Sequence, residues 1–287
     1  MGIKQKVQQF LSDKLGVTEN KILIQGLSSY ITLLGGDILS LPLAIKSDVL
    51  TNIRNKYGID EFNTALHRND VMLYNHIIHY GQDTSTAVTT YFEVGVDIAQ
   101  KVSELCDGNT KEILDFGSGY GRVSRFLPFY FKDASIEVTE VKPASMQFQK
   151  EYLGFNTITH GIDASTFNAK PKDLIIAVSV FTHLTLEDCE NWIEKLSQCL
   201  KENGRFIFTY NNIEKCPFKN NGEFHFETQS EDSSNSGIPD RLDDVNTYGS
   251  TYFSNQLLEK LIGDIGCSLE IKSEYIGTHN VAIVTKK

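Results

Sequence analysis

One stretch narrows the fold more than any other: ILDFGSGYGRVSRFL, residues 113–127. A short apolar strand, EILDF (112–116), runs into Gly117, Gly119 and Gly121, then into a helix, Arg122–Phe131, with Val123, Phe126 and Leu127 on one face. Glycine lets the backbone turn sharply and lets a ligand approach it, and the first turn of a helix presents N–H groups that the helix itself leaves unused. Strand, glycine turn and helix in that order open a βαβ unit, which requires a parallel sheet.

The alternation continues downstream. SIEVTEV (135–141) is a strand followed by a helix, Ala144–Leu153, and NTITH (156–160) is a third strand. DLIIAVSV (173–180) is apolar almost throughout, as a strand buried on both faces must be. A helix over Leu186–Leu200, a turn at Glu202-Asn203-Gly204 and a strand RFIFTY (205–210) come next. Ser254–Ile262 is the last helix. CSLEIKSEYI (267–276) and NVAIVTK (280–286) are two strands joined by a hairpin-like turn, Gly277-Thr278-His279. Residues 211–250 are polar and aperiodic, too long for a plain connection, and read as a functional loop or substrate lid. The expected fold is α/β: a doubly wound, seven-stranded, mostly parallel Rossmann-like sheet over residues 86–287.

Residues 1–85 read as a helical appendage, with apolar spacing of helical period in Lys4–Leu15, Ser28–Leu41, Val49–Tyr57 and Asp70–Tyr80. A polar break at Asp83–Thr86 precedes a longer amphipathic helix, Val88–Leu105. The appendage is expected to cap the domain or to mediate self-association into a homo-oligomer. Ile22–Ile45 is apolar, but Gly35-Gly36-Asp37 and Pro42 interrupt it, so a transmembrane segment is not expected. The start, MGIKQK, lacks the apolar core of a secretory signal, and the cytoplasm is the expected compartment. With a net charge of −10 and no basic run, the chain is not expected to take nucleic acid as a partner. Five cysteines without a C-x-x-C pair, and His76 and His79 without a third ligand, lead to no expected disulfide framework or metal site.

The glycine loop alone suits either a dinucleotide or another nucleoside-bearing ligand. A dinucleotide fingerprint, G-x-G-x-x-G, needs its third glycine at 122, which is Arg122. Asp115, two residues before the first glycine, suits an ammonium group and would gain nothing from a pyrophosphate. Both details favour S-adenosylmethionine over a nicotinamide cofactor. Glu140, about 20 residues past the loop at the end of the second strand, stands where a carboxylate accepts ribose hydroxyls. Asp163 and Ala164 follow the third strand, where an adenine edge would lie.

The order DFGSGYG, EVKPASMQFQ, IDAS, DLIIAVSVFTHL, ENGRFIFTY resembles the core of class I S-adenosylmethionine-dependent methyltransferases over residues 88–287. GRVSRFL, FQKEYLGF, SVFTHLTLEDCENWIEKL and YGSTYFS further resemble a bacterial subgroup often associated with glycosyltransferases and surface-polysaccharide synthesis. The resemblance implies an antiparallel last strand and S-adenosylmethionine as cofactor. Asp115, Gly117, Gly119 and Gly121 would hold its methionine end, with Ser118 of the same loop a further cofactor-binding residue, Glu140 with neighbouring Val141 its ribose, Asp163 and Ala164 its adenine edge. Ser179 would line the cofactor floor. Tyr91 and Gly95 resemble a Y-x-x-x-G on the helix that closes over the cofactor, and Arg122 would pair with the cofactor carboxylate or an acidic acceptor. The chain departs from the family at Ser118, where cysteine is frequent, at Lys172, where an aromatic often stands, at Thr209-Tyr210-Asn211-Asn212, where a histidine tends to occur, and at His279-Asn280-Val281 in place of His-Gln-Asp.

Methyl transfer from a sulfonium needs a nucleophile held in line, water kept out, and a route for the acceptor's proton. The catalytic candidates are His183 in VFTHL, His225 (with Glu227) and Tyr210; His279 is a further residue that could reach the acceptor. The expected substrate is a small-molecule or glycan acceptor, methylated on oxygen or nitrogen. The alternatives are a protein or nucleic-acid methyltransferase on the same core, and a non-catalytic scaffold.

Overall fold

The computed structural model describes residues 38–39, 41–79, 84–218, 222–228 and 249–287. The expected helix Lys4–Leu15 and most of Ser28–Leu41 lie outside the described residues. The described residues divide into two compact units, one up to Glu93 and one from Val94 onward, so the division falls eight residues past the expected 85/86 boundary.

In the first unit, Ile38–Leu39 (β1) pairs antiparallel with Leu66–His67 (β2). Residues 38–39 are therefore strand where the apolar spacing predicts helix; partner hydrogen bonds outweigh local period in so short a segment. Leu43–Tyr57 (α1) starts earlier than predicted and ends at Gly58, whose positive φ lets its N–H return to the Arg54 carbonyl. Val71–His79 (α2) begins at Asp70, whose carboxylate accepts from the N–H groups of Met72 and Leu73. Thr84–Glu104 (α3) runs unbroken through Thr84–Thr86, where a polar break is predicted, and carries the division between the units.

The second unit is built on a sheet of order β10-β11-β7-β6-β3-β4-β5, with β8 and β9 off that path. Its strands are Glu112–Phe116 (β3), Ser135–Thr139 (β4), Asn156–Thr157 (β5), Lys172–Ala177 (β6), Leu200–Asn212 (β7), Ser268–Ile276 (β10) and His279–Thr285 (β11). β3, β4, β5, β6 and β7 pair in parallel; β11 lies antiparallel to β7 and β10. This is the doubly wound, mostly parallel Rossmann-like architecture expected. Helices Leu186–Gln198 (α6) and Asn255–Asp264 (α7) contribute Trp192, Leu196, Leu258 and Ile262 to a core shared with Leu114, Ile175, Phe206 and Ala282 of the sheet. Thr185 and Ser254 start these helices by accepting from the N–H groups of Asp188 and Leu257.

Three local expectations change. Arg122–Phe131 is not one helix: a 3₁₀ turn, Ser124–Phe126, precedes a single α turn, Leu127–Tyr130 (α4). Pro128 has no N–H to return to the Ser124 carbonyl, and Leu127 N takes that carbonyl one residue early. The turn predicted at 202–204 lies inside β7, where the register with β6 slips between Lys172 and Leu174. Segment 211–250, read as aperiodic, holds strand among its described residues: Phe224–Thr228 (β8) pairs antiparallel with Gly249–Phe253 (β9), and β9 extends the end of β7 in parallel. Helix Pro143–Tyr152 (α5) lies between β4 and β5 as predicted. Among the described residues no helix is long and apolar enough to cross a membrane.

Candidate functional site

Strand order reverses around β3, which has β4 on one side and β6 on the other. In open α/β sheets ligands settle outside the carboxyl ends of the strands at such a switch point. The residues after β3, β4 and β6 are the glycine loop, Glu140-Val141 and Ser179, so the fold brings these sequence-predicted positions to one end of neighbouring strands.

The glycine loop is held from below. Gly117 N and Ser118 N both donate to the Thr139 carbonyl, at 2.9 and 3.1 Å. Gly117 has φ +70, and a Cβ there would collide with the Val180 side chain. Gly119 differs: its φ is +55, but nothing lies within 4 Å of where its Cβ would be. Gly117 is thus required by packing, while Gly119 leaves open space beside the backbone for a ligand. Gly121 shares the left-handed conformation. Gly95 on α3 has no Cβ because the Arg122 carbonyl occupies that space.

Two side chains complete the support: Gln149, which the sequence does not single out, and Arg125, which its place on the first helix suggests as a structural ion pair. Gln149 of α5 is fully buried and donates to Ser118 Oγ and to the Gly119 carbonyl, both at 2.8 Å. Its signal was present: it sits three residues after Met146 and four before Leu153, a polar residue on an apolar stripe. Arg125 is buried and donates through Nε to the Gly121 carbonyl and through an Nη to the Tyr120 carbonyl.

Successive residues of a strand face opposite sides. Leu114 and Phe116 join the core with α6, which puts Asp115 on the other face, where Ser124 Oγ donates to its carboxylate at 2.5 Å. Asp115 is 2% exposed. Burial pushes its carboxyl up to about 7; the Ser124 hydrogen bond opposes the rise and the Glu140 charge adds to it. Glu140 accepts from Gly119 N at 3.0 Å and from Val141 N at 2.8 Å. Asp163 starts a 3₁₀ turn, Ala164–Thr166, and hydrogen bonds from Ser165 hold its exposed carboxyl below the ordinary range. Among the described residues, none of these three carboxylates forms an ion pair. Nearby, His160 is stacked on Phe116 and edge-on to Phe167 and Trp192. Its Nε2 is buried without a hydrogen-bond partner among the described residues.

Ser179 has φ 59 and its N–H donates to Thr209 Oγ1 at 2.7 Å, an unusual backbone for a non-glycine residue in the turn after β6. Tyr91 lies in the first unit, where its hydroxyl donates to Asp70 at 2.5 Å.

The catalytic candidates have different surroundings. Tyr210 is fully buried, donating to Asn255 Oδ1 and accepting from Asn280 Nδ2, so its hydroxyl works as a brace between β7, α7 and β11. His183 Nδ1 donates to the Gly249 carbonyl at 2.7 Å, and burial keeps its imidazole below its ordinary pKa. The backbone bonds Gly249 N to His183 O and Thr251 N to Thr182 O dock β9 on the same turn. His225 is on β8, stacked on Phe218 at 5.1 Å, with Tyr252 opposite it and Glu227 at 3.4 Å from its Nε2. His279 Nδ1 meets Asn211 Oδ1 at 2.8 Å.

Residues 114–206 match a family of methyltransferase domains. The fold is that of solved methyltransferases at low identity. A CalS10 structure from Micromonospora echinaspora, an amino pentose methyltransferase with S-adenosylmethionine bound, is 14% identical with a TM-score of 0.50, covering 69% of this chain and 92% of that one. An S-adenosylmethionine-dependent methyltransferase from Clostridium acetobutylicum is 17% identical with the same TM-score, covering 75% and 96%. The glycopeptide N-methyltransferase MtfA in complex with S-adenosylmethionine is 11% identical, again at 0.50, covering 67% and 93%.

Proposed function

We propose that this methyltransferase transfers the methyl group of S-adenosylmethionine to an oxygen or nitrogen of a saccharide or similarly polar small molecule. S-adenosylmethionine is the donor that this domain and fold call for; when bound it supplies an activated methyl on a cationic sulfur, next to an ammonium group. The observation that carries the reading is charge: Asp115, Glu140 and Asp163 follow or end three strands at the ligand end of the sheet, and no lysine or arginine side chain of the described residues pairs with them. A cationic ligand matches that end. The open space at Gly119 admits its backbone-hugging part, and Glu140, already oriented by two N–H groups, keeps lone pairs for a ribose diol. Asp163 and His160 flank the place for an adenine ring.

On the acceptor side, β8 and β9 form a wall carrying His225 and Tyr252, with Phe218 from the segment before β8 stacked on His225, a surface suited to the face of a sugar ring. His183 positions that wall through its bond to Gly249. The association of the resembled subgroup with polysaccharide synthesis, and the amino pentose and glycopeptide methyltransferases of the same fold, support a glycan acceptor.

The test is calorimetric titration with S-adenosylmethionine and its demethylated product, followed by a mass-spectrometric screen of amino sugars, nucleotide sugars and peptides. Saturable binding of both ligands and a methylated sugar are expected. Absence of binding would remove the donor assignment; binding with transfer only to peptides would remove the glycan acceptor.

A further inference from the structure

We infer that His279 is the general base of methyl transfer, with Asn211 as the residue that fixes its proton; the inference rests on the methyltransferase reading above. His279 opens β11 opposite the carboxyl end of β7, where Asn280 pairs with Tyr210. It therefore lies at the ligand end of the sheet, two strands along from β6, whose following turn carries Ser179 and His183. Asn211 Nδ2 donates to the Thr251 carbonyl at 2.9 Å. A carbonyl only accepts, so this bond sets the amide: Nδ2 faces Thr251 and Oδ1 faces His279. Oδ1 also only accepts, so at 2.8 Å the proton between the two residues belongs to His279 Nδ1. In the neutral ring Nε2 is then a bare lone pair. Three segments distant in sequence, β7, β9 and β11, cooperate to hold one tautomer of one half-buried histidine.

The ring is also kept neutral. Burial, and then the charge of Lys215, hold His279 below its ordinary pKa. The other groups around it are Glu274 of β10, which pairs with Lys215 and whose N–H donates to Asn280 Oδ1, the imidazole of His183, and the buried Tyr210. As the acceptor's lone pair forms its bond to the methyl carbon, the carbon–sulfur bond breaks with its electron pair going to sulfur. The acceptor's own proton passes to Nε2 of His279, and the resulting imidazolium returns it to water.

Two measurements on the full chain test this. In long-range proton–nitrogen NMR spectra, with the His279→Gln variant identifying the signal, the neutral ring should carry its proton on Nδ1; a proton on Nε2 overturns the inference with no acceptor required. With the acceptor from the screen, His279→Gln should lower kcat about 100-fold or more, the scale of general-base catalysis, while S-adenosylmethionine affinity stays within twofold. Asn211→Asp, which keeps an acceptor for Nδ1 and adds negative charge, should move the acid limb of the kcat profile to higher pH. Unchanged turnover in His279→Gln, a parallel loss of donor affinity, or an unmoved acid limb would each refute the role. Failure of the underlying reading looks different, since the parent protein itself would then not bind S-adenosylmethionine.

Discussion

At the amino-terminal half of the parallel strands, carboxylates face lysines. Glu137 and Glu112 converge on Lys172, whose side chain has no solvent exposure, and Lys201 reaches Asp173 at 2.8 Å. A cavity of about 490 Å³ opens there, but two glutamates and two lysines line it, so it holds space without surplus charge. At the carboxyl-terminal ends of the same strands the partners of the carboxylates are N–H groups and a serine hydroxyl. The first end has its charges matched by the chain and serves stability. The second leaves negative charge for something the chain does not contain. A cavity by itself does not mark a ligand site; charge balance favours the end at the topological switch point.

The largest effect should come from the lysine end. Lys172→Met is expected to destabilise the protein by about 3 kcal/mol, the low side of what breaking a buried pair costs, because Glu137 keeps some contact with water. Urea denaturation measures it. Donor affinity of the folded variant should not change, and a variant that loses affinity while keeping its stability would erase the contrast between the two ends.

Glu140→Ala should do the reverse. Loss of about 2 kcal/mol of donor binding is expected, the scale of hydrogen bonds to a charged group, with little change in unfolding. Calorimetry that finds unaltered affinity in a folded protein would remove Glu140 from the ribose.

Only the carboxyl-terminal side of this contrast was readable in the chain beforehand, and the reasons are local. Gly117, Gly119 and Gly121 announce a turn that few other residues tolerate, and the apolar run of β6 has no other home than a sheet covered on both faces. Glu140 was locatable because its distance from the loop is set by one helix-sized crossover. The spacing of Val123, Phe126 and Leu127 misled because it suits a 3₁₀ turn as well as an α-helix, and Pro128 decides between them. The pair β8 and β9 was invisible because its strands are joined to the sheet by bonds to residues 182–184 and 211–212, which no periodicity encodes. The same holds for His279, whose tautomer depends on a bond between Asn211 and Thr251, 40 residues apart.

The smallest effect concerns protons. Asp115 has its folded pKa raised to about 7 chiefly by burial. Between the ordinary carboxylate range and pH 7 the folded protein therefore holds a proton that the unfolded chain has lost. Stability falls as pH rises through that window, the opposite of the usual salt-bridged carboxylate. A cationic donor changes the balance, because it binds the ionised form and brings the missing charge. Donor affinity should thus be highest above pH 7 and fall about tenfold between pH 8 and pH 6, roughly 1.4 kcal/mol, with a proton released on binding at the lower pH. Calorimetry in buffers of different ionisation enthalpy counts that proton directly. Asp115→Asn, close in shape and still able to accept from Ser124, should bind the donor more weakly and lose the pH dependence. Were the wild-type affinity flat from pH 6 to pH 8, Asp115 would be a buried brace for the glycine loop, and the cation-seeking character of this end would rest on Glu140 and Asp163.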